Sequence, residues 1–151
     1  MTAPPESLPV SLSDRLGYLL GRAHLANRLA TEKALAPLRL SGKELGALSI
    51  LVEEGPVSQQ RLGERQGVDR TTMVAVVDEL ESSGFVERRR DPRDRRAYSL
   101  QATPNGRRVL QRAAEATEQA EDEFLARLSA ADRRRLKELL LALVERSARS
   151  T

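Results

Sequence analysis

Six arginines stand within nine residues, Arg88, Arg89, Arg90, Arg93, Arg95 and Arg96, accompanied only by Asp91, Pro92 and Asp94. That stretch carries +4, whereas the whole chain of 151 residues carries +3, so everything else sums to −1. A planar guanidinium forks onto phosphates and guanine edges, where lysine offers only a point charge. A cationic spike on a near-neutral body suits a polyanion engaged at one place. An arginine at the tip of a hairpin also fits a narrow, electronegative minor groove. Such a tip can alternatively be a solvated edge that charge guards against aggregation, a task lysine or glutamate would serve equally. Asp94 cannot attract phosphate, and is expected to pair with Arg95 or Arg96 and so fix the hairpin's geometry.

A second group precedes the arginines. Between Asp69 and Ser83, helical spacing commits Met73, Val76, Val77 and Leu80 to one face. The opposite face presents Arg70, Thr71, Val74, Ala75 and Asp78, with Thr72 near its edge. The major groove of DNA admits one α-helix, arginine bonds guanine bidentately, and threonine offers a hydroxyl and a methyl. A helix N-terminus itself attracts phosphate. The bland alternative is a solvated surface helix.

Other chemistry is excluded by composition. With no cysteine there is no thiolate, disulfide or cysteine zinc site, and the single histidine, His24, rules out a histidine-rich metal site in one protomer. Aromatic residues are 3% of the chain, too few for base-stacking platforms. No nucleophile elbow, phosphate loop or metal-ligand spacing occurs, so neither an enzyme nor a metal or cofactor is expected. No apolar run approaches the roughly 18 residues of a membrane span. The first residues, MTAPPESLPV, lack the basic and apolar stretches of a signal peptide, so a cytoplasmic location without a membrane partner is expected.

The elements that must hold these groups follow from their punctuation. Residues 1–10 contain three prolines and read as a flexible arm. Ser11 and Asp14 have capping-box spacing and open a helix expected to run to about Ala34. Ser41 and Glu44 form a second box, opening a helix that Gly55-Pro56 stops. Ser58 caps a short helix, Gln59 to Gln66, closed by Gly67; Asp69 caps the next, which Gly84 ends. Gly63 is expected to let these two helices approach closely. Phe85–Arg89 and Ala97–Gln101 read as strands joined by the turn Asp91-Pro92-Arg93-Asp94. Thr103-Pro104 opens a fifth helix and Ser129 with Asp132 a sixth. The order is α-α-α-α-β-β-α-α: a mainly α fold whose centre, residues 41–102, is a winged helix-turn-helix.

Two stretches resemble the MarR family of bacterial transcriptional regulators. One is Leu62-Gly-Glu-Arg-Gln-Gly-Val-Asp-Arg-Thr-Thr-Met-Val-Ala-Val-Val-Asp-Glu-Leu-Glu, followed by Gly84-Phe-Val-Glu-Arg; the other is Asp91-Pro-Arg-Asp-Arg-Arg-Ala, followed by Leu100-Gln-Ala-Thr-Pro-Asn-Gly. The resemblance implies a homodimer on pseudo-palindromic duplex DNA, with residues 11–40 and 103–151 as the dimerisation helices. It places Arg96 in the minor groove, with Asp94 supporting it; the remaining arginines of the cluster, Arg88, Arg93 and Arg95 among them, then read mostly as phosphate anchors. It sets Arg70, Thr71 and Thr72 at the start of the recognition helix, and Ser58 and Gln59 at positions that touch the DNA backbone. Ala75 departs from the family, in which many members carry a basic or polar residue.

The dimer has independent support: the first helix and the last two each carry an apolar stripe, which packing within one protomer would also explain, but the last helix has a leucine-rich seam that a peripheral appendage could hardly cover. A two-fold dimer would space two recognition helices by one turn of DNA, roughly 34–36 Å. The family implies release by a small, often anionic aromatic effector; Tyr18 and His24 are the candidate effector residues, against the simpler reading of His24 as a surface histidine. The rival to a ligand-released repressor is a winged-helix adaptor that binds protein rather than DNA and responds to no ligand.

Overall fold

The computed structural model describes residues 10–90 and 98–148. The N-terminal arm up to residue 9 and the hairpin tip, with Arg93, Asp94, Arg95 and Arg96, lie outside the described residues. The elements are α1 (Val10–Ser13), α2 (Leu16–Leu35), a 3-10 turn (Ala36–Leu38), α3 (Gly42–Glu54), α4 (Gln59–Gln66), α5 (Arg70–Ser82), β1 (Val86–Arg90), β2 (Tyr98–Ala102), α6 (Pro104–Phe124) and α7 (Ala130–Ala148). The fold is mainly helical with a two-stranded wing.

Most helix starts follow the side-chain chemistry. Ser41 accepts from the Glu44 amide while the Glu44 carboxylate accepts from the Ser41 amide, a complete capping box for α3. The Ser58 hydroxyl accepts from the Arg61 amide at 3.2 Å and opens α4. Gly67 ends α4 in the left-handed region (φ 69°), and the Val68 amide returns to the Gly63 carbonyl. Asp69 opens α5 and Thr103 opens α6 by the same logic.

Three expectations need correction. The long first helix is broken: α1 is a four-residue turn that already includes Val10, and α2 restarts after Arg15, which is extended and gives no side-chain cap. Ser11, Ser13 and Asp14 are residues whose side chains compete with helical backbone bonds, which suits a break there. The first strand begins one residue later than expected, because Gly84 (φ 71°) and Phe85 are spent closing α5: the Phe85 amide donates to the Leu80 carbonyl and Gly84 to Glu81; the expected start of the second, Ala97, lies outside the described residues. Gly63 is not a tight approach. An added Cβ would sit 3.4 Å from the Val68 carbonyl and 3.7 Å from Met73, ordinary contact.

The core lies in the winged unit and the helices that flank it. Leu48 and Leu51 of α3, Leu62 of α4, Met73, Val77 and Leu80 of α5 and Leu100 of β2 are all within 2% of complete burial. β1 and β2 pair antiparallel, Val86 opposite Ala102 through to Arg90 opposite Tyr98. Val57, between α3 and α4, exchanges both backbone bonds with Leu100 and pins the wing to the helix-turn-helix. On the other side, α6 is clamped to the end of α5: Thr103 donates its amide to the Phe85 carbonyl and its hydroxyl to the Gly84 carbonyl. Gly106 sits against that clamp so closely that a Cβ would fall 2.1 Å from the Phe85 oxygen.

Candidate nucleic-acid interface

The Asp69 carboxylate accepts from the Thr72 amide at 2.9 Å and from the Thr72 hydroxyl at 2.6 Å. These bonds favour the charged form and hold Asp69 below the ordinary carboxylate range. They also spend the Thr72 hydroxyl proton on the cap, so Thr72 is left as an acceptor and cannot donate to a phosphate. Ser58 is the opposite case. Its oxygen accepts the Arg61 amide, leaving its own proton for an outside acceptor.

Beyond the cap, Arg70, Thr71, Val74, Ala75 and Asp78 are exposed on one face of α5, while Met73, Val76, Val77 and Leu80 are buried on the other. Gln59, at the start of α4, shares with Arg70 the rim of a recess of about 730 Å³. The two helices thereby bring Gln59 and Arg70 together, as the sequence requires of a single surface.

The wing arginines differ in role. Arg88 was expected among the phosphate anchors, but its guanidinium is committed three ways: to Glu81 at 2.7 Å, to the Gln59 side-chain oxygen at 3.0 Å and to Asp78 at 3.2 Å. It ties β1 to both helices of the helix-turn-helix and takes up the Gln59 side-chain oxygen, so that this amide has its N–H groups to offer another acceptor. Arg89 pairs with Glu87 on its own strand. Arg90 has no ion-pair partner among the described residues. Sequence reasoning missed the Arg88 cluster, because it joins residues up to 29 apart through the strand register.

Tyr18 and His24 are not brought together. Six residues apart on α2, they point about 120° apart around the helix axis, and neither lines the recesses beside α5 or the smaller one between the 3-10 turn and α6. Among the described residues, no helix is long and apolar enough to cross a membrane.

The MarR family model matches residues 40–98, the span from the start of α3 to the wing. A transcriptional regulatory protein for the hcr operon of Thauera aromatica is 33% identical over 139 residues, covering 88% of this chain and 81% of that one. The chain belongs to the MarR family. The fold is of the MarR type. The repressor CouR bound to a 23-mer DNA duplex superposes with a TM-score of 0.84 at 30% identity, covering 92% of this chain and 99% of its own. PcaV of Streptomyces coelicolor in complex with its natural ligand gives 0.73 at 29% identity, covering 95% and 99%. MarR-family proteins are transcriptional regulators, and this chain is one of them.

Proposed function

We propose that the chain is a homodimeric repressor that binds a pseudo-palindromic operator and is released by a small molecule. The observation that carries the DNA reading is the exposed face of α5, with Arg70 and Thr71 beside its N-terminus and Gln59 next to it. It is reinforced by a neighbour of 30% identity that holds a duplex. In this reading Arg70, Thr71, Ser58 and Gln59 contact DNA, and Arg96 enters the minor groove with Asp94 as its brace. Arg93 and Arg95 sit on phosphates, and Thr72 secures the Asp69 cap of the recognition helix. The protein is cytoplasmic, where the DNA is.

The dimer reading rests on apolar surface that the chain leaves uncovered. Leu16 of α2 and Val144 of α7 are each 67% exposed, and Leu136, Leu139 and Leu140 of α7 are exposed with them. The only ion pair joining α7 to the rest of the chain among the described residues is Arg133 with Asp122. Large exposed apolar patches mark interfaces. Residues 11–40 and 103–151 form the dimerisation region in this reading, and residues 41–102 the DNA-binding domain.

Release follows if an effector prefers a spacing of the two recognition helices that does not match the operator. The relative solved with its natural ligand supports a ligand-responsive reading. The test is to select sites from random duplexes and then screen small aromatic acids for release. An inverted repeat and a releasing acid are expected. Protein-only association, with no duplex affinity, would favour the adaptor.

A further inference from the structure

The recognition helix α5 carries apolar residues on both faces. Its inner residues fill the core, yet Val74 stands on the outer side, 39% exposed. Thr71, a turn earlier, and Ala75, beside it, are exposed on the same strip. Charge is confined to the ends of this face. Arg70, at the N-terminal end, has no ion-pair partner among the described residues, and Asp78, at the other, is neutralised by Arg88 at 3.2 Å.

The middle of the reading face is thus three methyl-bearing side chains without charge. Apart from the Thr71 hydroxyl, such a strip has no group to bond a phosphate, and the one methyl group that a base presents in the major groove is the 5-methyl of thymine. Small Ala75 lets the helix backbone approach. We propose that Val74, flanked by Ala75 and the Thr71 methyl, reads a thymine methyl group in each half-site and is a specificity-determining residue. The inference rests on the DNA-binding reading above.

The test begins with half-sites selected from random duplexes by the full chain. Each thymine is then replaced by deoxyuridine, which removes only the methyl group. One thymine per half-site is expected at which the replacement weakens wild-type binding about fourfold, the worth of one buried methyl group. Val74→Ser should bind the thymine and uridine duplexes equally, with the melting temperature of the wild type. Uridine tolerated at every position by the wild type, or a thymine preference undiminished in Val74→Ser, would overturn the inference and leave DNA binding standing. No enriched sequence at all would overturn the DNA-binding reading, and this inference with it.

Discussion

Arg88 separates two kinds of arginine that composition cannot distinguish. A phosphate anchor contributes charge, so its loss lowers the slope of log affinity against log salt by about 0.9. A brace contributes geometry. Arg88→Gln is therefore expected to weaken duplex binding about tenfold, one factor of ten in the equilibrium constant, with the salt slope unchanged. Arg88→Lys, which keeps the charge but loses the fork, should weaken it similarly; anisotropy titrations across salt check both. Asp94→Ala should also weaken binding despite raising the net charge, if that carboxylate braces the wing; tighter binding in the same titration would count against the brace. Asp69 makes a statement about pH. Its carboxyl is held below the usual range by bonds from Thr72, so its cap is at full strength above the ordinary carboxylate value of about 4. The cap weakens as pH falls through the lowered value. The melting-temperature difference between the wild type and Asp69→Ala should accordingly shrink in acid.

Among the elements, the junction of α5, the wing and α6 is the least tolerant. Gly106→Ala would drive a Cβ into the Phe85 backbone, which cannot yield as a flexible side chain would. A loss of about 1–3 kcal/mol is expected, the usual cost of overpacking. Gly63→Ala, in contrast, should leave the melting temperature unchanged or raise it, because alanine favours a helix over glycine by up to about 1 kcal/mol. Thermal melts of the two variants decide. This contrast also marks what could be read from the chain itself. Caps are local, so Ser41, Ser58, Asp69 and Thr103 announced their helices correctly. The closeness of Gly106 to Phe85 depends on how α6 docks across the end of α5, and no spacing along the chain encodes that. The Arg88 cluster was hidden for the same reason, whereas the outward face of α5 was legible because helical periodicity assigns it directly.

At the scale of the molecule, a compact winged unit holds the core while α2 and α7 present uncovered leucines. Such a chain is expected to sediment as a dimer at micromolar concentration. Charged substitution of the α7 seam, as in Leu139→Glu with Leu140→Glu, should yield monomers whose affinity for a two-half-site operator falls much more than for a single half-site. The central claim is that the folded dimer recognises duplex DNA through α5 and the arginine-rich wing. The most direct measurement is the affinity of the wild type and Arg96→Ala for one selected duplex across a range of salt. Wild-type log affinity should fall linearly with log salt, at about 0.9 per phosphate contact, and Arg96→Ala should bind more weakly at every salt concentration. Affinity independent of salt, with Arg96→Ala binding as the wild type does, would contradict it.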